Sequence, residues 1–207
     1  MRIFEVIKSN IDVAVFYGGR FQPMHKGHFG LYQSLKDKFG PNSVFIATTF
    51  GKKQQQAHAV GDFSTDPFTF EEKQFIINTM YGIPGEHVVN TQPYRPDMSL
   101  VGLDKEKNAL ILAFSDKDAG RLKPGNVLRN YEPGMALEPN FVDGKEHRAY
   151  IYTSALFHGG ANASDFRSGM RNLESEDARK ELFVHYFGKM NDAVYNLINE
   201  RLNGGGT

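Results

Sequence analysis

Cysteine is absent from the 207 residues, and with it any disulfide framework, thiolate metal site or cysteine nucleophile. Net charge is absent too. The 24 Lys and Arg stand against 24 Asp and Glu, which excludes the broad cationic surface of a protein built to coat duplex DNA or anionic lipid. No apolar run approaches the roughly 20 residues that span a bilayer. Met1 to Asn10 (MRIFEVIKSN) is too short and too mixed for a secretory signal. These absences predict a soluble cytoplasmic protein without a nucleic-acid or membrane partner. Two phosphate-loop patterns, GxxxxGK[ST] and GxGxxG, are also missing, as is the HExxH zinc pattern.

What is present belongs to a globular α/β chain. Hydrophobic residues make up 40% and charged residues 23%, the balance of a packed fold rather than a disordered one. Asp12 to Tyr17 (DVAVFY), Ser43 to Thr49 (SVFIATT) and Ala109 to Phe114 (ALILAF) are runs without polar alternation, as strands covered on both faces should be. His87 to Thr91 and Ala149 to Thr153 (AYIYT) read as two more strands. Between the first pair, Phe29, Leu31, Tyr32, Leu35 and Phe39 recur at helical spacing. A second helix is predicted from about Phe70 to Met80, opened by Thr69 and Glu72 in the capping-box relation. The alternation predicts a Rossmann-like, doubly wound parallel sheet of about five strands.

Gly120 to Glu146 breaks the pattern with Lys123-Pro124-Gly125, Glu132-Pro133-Gly134 and Asp143-Gly144, which read as turns with a short hairpin. Leu182, Phe183, Tyr186, Phe187, Met190, Val194, Leu197 and Ile198 then form an apolar stripe, read as packing against the domain or a sister subunit. Residues 1–172 are therefore expected to form the sheet domain, and residues 173–207 a helical extension of it, with a homo-oligomer plausible.

The loop after the first strand carries the chemistry: Gly18-Gly19-Arg20-Phe21-Gln22-Pro23-Met24-His25-Lys26-Gly27-His28. Open α/β sheets bind ligands beyond the carboxyl ends of their strands, where glycines allow close backbone approach and a helix start presents N–H groups to an anion. His25 and His28, three apart across that helix start, are placed to direct two imidazoles at one phosphate chain. Zinc is disfavoured because no third ligand has suitable spacing, so no metal is assigned to protein ligands.

The segment resembles the GRFQPxHxGH form of the HxGH motif in the nucleotidyltransferase superfamily, especially nicotinamide mononucleotide adenylyltransferases of the archaeal type and their bacterial relatives. Asp66-Pro67-Phe68-Thr69-x-x-Glu72-Lys73 is similar to their NPFTxxER stretch, with Asp for Asn and Lys for Arg. Ser115-Asp116-Lys117-Asp118 resembles GSDKD, and Ser164-Asp165-Phe166-Arg167 the end of ISxTxxR. The chain departs from the pattern at Asn162, which stands at the serine of ISxTxxR. It also lacks tryptophan, so Tyr94 or a nearby phenylalanine is the candidate for stacking on nicotinamide.

The resemblance implies an adenylyl transfer from ATP to nicotinamide mononucleotide, with Mg²⁺ carried on ATP. His25, His28, Arg20 and Arg167 would be the catalytic set. Gly18, Gly19, Phe21, Gln22, Gly27, Lys52 (or Lys53), Lys117, Asp118 and Ser164 would hold the nucleotide. Asp66, Phe68, Thr69, Tyr94 and Asp97 would line the acceptor pocket. Other acceptors, namely nicotinate mononucleotide, a pantetheine phosphate, FMN or a sugar phosphate, and a nucleotide-sensing module without turnover, are the alternatives. Arg171, four residues after Arg167, is open between phosphate contact and solvated surface.

Overall fold

A computed structural model describes residues 11–120, 122–146, 149–155 and 162–204, the side chains of residues 117 and 119 excepted. In chain order the elements are β1 (Asp12–Gly18), α1 (Lys26–Phe39), β2 (Val44–Thr48), α2 (Lys52–Ala59), α3 (Phe70–Tyr81), β3 (Val88–Asn90), β4 (Asn108–Ser115) and α4 (Asp116–Ala119). There follow β5 (Leu128–Asn130), β6 (Phe141–Val142), β7 (Lys145–Glu146), β8 (Ala149–Ser154), α5 (Ala163–Asn172), α6 (Glu176–Phe187) and α7 (Asp192–Asn203).

The apolar runs become the middle of one parallel sheet of order β3-β2-β1-β4-β8-β5, an α/β, Rossmann-like arrangement. Every residue of β2 and of β4 is buried, because each strand is covered on both faces. On one face Leu31 and Leu35 of α1 and Ile77 of α3 pack against Val15, Ile46 and Ile111. On the other, Phe16, Phe45, Leu112 and Phe114 pack with Met98 from a single 3₁₀ turn. Burying such a side chain stabilises by about 1.5–3 kcal/mol, so the sheet is the rigid frame on which the loops are hung.

The carboxyl-terminal stripe packs onto the same frame. Phe183, Phe187, Val194 and Ile198 close over Phe68, Ile76, Phe166 and Met170, joining α6 and α7 to α3 and α5. The helical region is two helices rather than one, because Gly188 takes a left-handed backbone (φ 84°) and caps α6. Arg201 of α7 bonds Glu72 of α3 through Nε and Nη2, each at 2.6 Å.

Three local outcomes differ from the sequence expectation or refine it. The sheet has six strands, since Leu128–Asn130 pairs parallel to β8 at the edge; three residues with two exposed carry no apolar run to betray a strand. GKKQQQ, read as a polar stretch, forms α2, which buries no residue and so leaves no apolar periodicity in the sequence. Asp143 and Gly144 both have positive φ (52° and 77°), the geometry of a primed hairpin turn, and join β6 to β7. Among the described residues no helix is long and apolar enough to cross a membrane. Residues 1–10 lie outside the described residues, as do residues 156–161 before α5 and the end of the chain from 205 to 207.

Candidate active site

After β1 the chain winds outward through β2 and β3, then returns to place β4 on the other side of β1. This reversal opens a crevice at the carboxyl ends of β1 and β4, where such sheets take ligands. The cleft there is lined by residues 17–22, His25, His28, Ser115, Asp118, residues 162–164 and Arg167. It thus unites the first strand loop, the end of β4 and the start of α5, segments that lie far apart in sequence.

The loop is held by three ties. Gln22 closes a two-way bond with the Phe68 backbone, its Nε2 donating to Phe68 O (3.0 Å) while Phe68 N–H donates to its Oε1 (2.9 Å). Arg167 Nη1 donates to Gln22 O at 2.6 Å. Thr48 Oγ1 donates to Arg20 O at 3.3 Å. Together they hold Phe21 at φ 46°, a left-handed conformation costing about 1–3 kcal/mol in a non-glycine residue, with its ring edge-on to Tyr17 and His28. Gly18 is required for a different reason: a Cβ there would lie 2.5 Å from the Phe114 ring. Gly18→Ala is expected to lose about 1–3 kcal/mol by overpacking, read as a lower urea midpoint with unchanged slope. An unchanged midpoint would show that Phe114 yields freely.

His25 caps α1, and the cap dictates its chemistry. Gly27 N–H donates to His25 Nδ1 (3.2 Å), and His25 N–H donates to His28 Nδ1 (3.4 Å). A ring nitrogen that accepts carries no proton, so both neutral imidazoles bear theirs on Nε2 and are donors at that atom. The two ring centroids are 3.9 Å apart. The helix start therefore presents backbone N–H groups, its positive dipole end and two imidazole donors together.

Arg167 is the site's buried cation, 6% exposed. Its Nη2 donates to Ser164 Oγ at 3.3 Å, and its buried Nε has no hydrogen-bond partner among the described residues. Among the described residues no carboxylate forms an ion pair with it. Burial first, then repulsion by Arg20 and Arg171, oppose its charge, and Asp66 offsets them only in part. Arg20 is largely exposed and meets Asp66 at 3.6 Å. Across the cleft Ser115 Oγ donates to Asp118 Oδ2 at 3.1 Å. The buried Tyr17 hydroxyl has no hydrogen-bond partner among the described residues, and burial, reinforced by Asp118, pushes its pKa up, so it stays a protonated donor.

Other residues singled out from sequence lie elsewhere or act structurally. Lys52 and Lys53 are exposed at the start of α2 and do not line the cleft. Tyr94 is stacked on Phe114 (4.9 Å, 14°) and borders an apolar hollow on the sheet face. Asp97 caps the 3₁₀ turn at Met98–Val101 by accepting from Ser99. Thr69 and Glu72 form the predicted capping box of α3. Gly27 is buried in the first turn of α1. Arg171 donates to Phe63 O and Ser64 O, away from the cleft. The Lys117 side chain lies outside the described residues.

The fold brings three further residues to the site. Tyr17 looked like one more apolar strand position. Tyr186 belonged to a helical stripe, yet its ring stands edge-on to His25 with centroids 6.0 Å apart. Lys73, noticed only as a replacement for arginine, is 2% exposed beneath the loop. Alternation of strand side chains is the local signal for Tyr17 and the motif position that for Lys73; nothing local marks Tyr186. No protein-family model matches the chain, and no curated protein matches it.

Proposed function

We propose that this chain is an ATP-dependent adenylyltransferase, acting in the cytoplasm, that joins AMP to nicotinamide mononucleotide and releases pyrophosphate. One observation carries the reading. A buried guanidinium with no carboxylate partner among the described residues faces a cleft that also holds two Nε2–H imidazoles and a helix N-terminus, and such an arrangement is completed by a polyanion. The motif resemblance chooses among polyanions, favouring a nucleoside triphosphate whose phosphates lie along Gly18 to His28.

In this reaction a phosphomonoester oxygen attacks the α-phosphorus of ATP, an O–P bond forms in line with the bond that breaks, and pyrophosphate leaves with that electron pair. No covalent enzyme intermediate is needed, so the protein positions the reactants and stabilises charge on the phosphoryl oxygens. His25 and His28 donate to those oxygens through Nε2, while Arg167 and Arg20 neutralise them. Mg²⁺ enters as part of the substrate Mg²⁺-ATP, and Asp118 is the carboxylate among the described cleft-lining residues.

The test is pyrophosphate release from purified protein, ATP, Mg²⁺ and a panel of phosphomonoesters including nicotinamide mononucleotide, nicotinate mononucleotide, phosphopantetheine, FMN and a sugar phosphate. Release with nicotinamide mononucleotide supports the proposal in full. Release with another member corrects the acceptor alone. ATP binding without release under any condition replaces catalysis with nucleotide sensing.

A further inference from the structure

Lys73 is a buried ammonium whose hydrogen-bond partners among the described residues are two neutral oxygens. Its Nζ donates to Thr49 O (2.9 Å) and to Thr48 Oγ1 (3.2 Å), and Thr48 Oγ1 in turn donates to Arg20 O (3.3 Å). The direction of the chain follows from the chemistry. An ammonium can only donate, so the Thr48 hydroxyl must spend its lone pair on Lys73 and its proton on the Arg20 carbonyl. A charged donor polarises the hydroxyl and strengthens the second bond. That bond fixes the peptide between Arg20 and Phe21, next to the left-handed residue that turns the loop into the cleft.

We propose that Lys73 is a positioning residue for the cleft: through Thr48 its ammonium sets the Arg20–Phe21 peptide, and so the site's grip on a nucleoside triphosphate weakens when that charge is lost. The consequence for ligand affinity rests on the adenylyltransferase reading; the tie to Phe21 does not. Burial lowers the Lys73 pKa to about 8, with Asp66 raising it and Arg20 lowering it. Asp66 is engaged with Arg20, Glu72 is held by Arg201, and the neutral Thr48 and Thr49 face it from the end of β2 and the residue after it. The ammonium is therefore present below pH about 8 and lost above it.

K73R separates charge from titration, because a guanidinium keeps its charge throughout this range. The Phe21 amide nitrogen shift, read by NMR on the full chain, is expected to titrate with a midpoint near pH 8 and to stay flat in both K73M and K73R. A flat wild-type profile, or one that K73M shares, overturns the inference whether or not ATP binds. Calorimetry with Mg²⁺-ATP supplies the second readout. K73M should weaken binding by about tenfold at pH near 7, the loss of one charge-assisted bond, while K73R stays within about threefold at both neutral and alkaline pH. Wild-type affinity in K73M at neutral pH overturns the inference and leaves the adenylyltransferase reading standing. Failure of the wild type to bind Mg²⁺-ATP defeats that reading, and the Phe21 titration then decides the positioning role by itself. Folding gives a third check. The unfolded chain keeps the lysine proton up to its ordinary pKa of 10.5, so wild-type stability should rise relative to K73M as pH increases from about 8.

Discussion

Arg167→Met is expected to lower ATP-dependent pyrophosphate release by about 10³, the upper range seen when one charge-stabilising donor is removed. The side chain has two jobs, which explains the size. Its Nη1 anchors Gln22 O across 145 residues of sequence, and the remaining guanidinium surface supplies the cleft's buried positive charge. Arg167→Lys should be nearly as poor, because one ammonium cannot span Gln22 O and Ser164 Oγ in the same fork. Folding should suffer much less than turnover. Burial and the neighbouring arginines already act against the charge, so its removal relieves a cost while leaving Gln22 O with one fewer donor. The stability change should stay within about 1.5 kcal/mol by urea unfolding. Pyrophosphate should raise the wild-type melting temperature and leave that of Arg167→Met unmoved. Turnover within about threefold of wild type would falsify the assignment of the buried guanidinium to the polyanion.

His28→Ala should cost about 10² in turnover by removing one of the two Nε2–H donors. The same substitution removes the acceptor for the His25 N–H and so weakens the capping box by about 1 kcal/mol. Variants at His25 separate the two contributions. Asparagine is a good N-cap, so His25→Asn should fold like the wild type and still lose about 10² in turnover, whereas His25→Ala should lose turnover and about 1 kcal/mol of stability together. Steady-state rates and urea midpoints on the same preparations make the comparison. If His25→Asn is as active as the wild type, the imidazole at 25 is a cap and nothing more.

Several elements were legible because their cause is local. β1, β2 and β4 advertise double-sided burial in unbroken apolar runs, and α3 shows its capping box in Thr69 and Glu72. The hairpin between β6 and β7 follows from Asp143-Gly144, a pair able to adopt positive φ. The elements that escaped have the opposite character. β5 is a three-residue edge strand with two residues exposed, held extended by its pairing with β8. α2 contacts too little apolar surface to need a pattern, so Lys52 and Lys53 in it could be read only by charge. Tyr94 and Asp97 enter the expected acceptor pocket only through the family resemblance. The fold spends the first in a stack on Phe114 and the second on a turn, functions that only neighbouring backbone could have announced.

The sequence by itself determined the class of fold, the glycine-rich loop that lines the cleft and the order of the two histidines at a helix start. Strand burial, helix periodicity and capping are each encoded within a few residues. Tertiary structure decided what that loop is tied to. The bonds from Arg167 to Gln22, from Gln22 to Phe68 and from Lys73 through Thr48 to Arg20 join segments between 25 and 145 residues apart. Their partners are backbone carbonyls and hydroxyls that every sequence contains in abundance. No spacing rule distinguishes such a partner, because it is selected only when the parallel sheet brings the carboxyl ends of its strands to one edge.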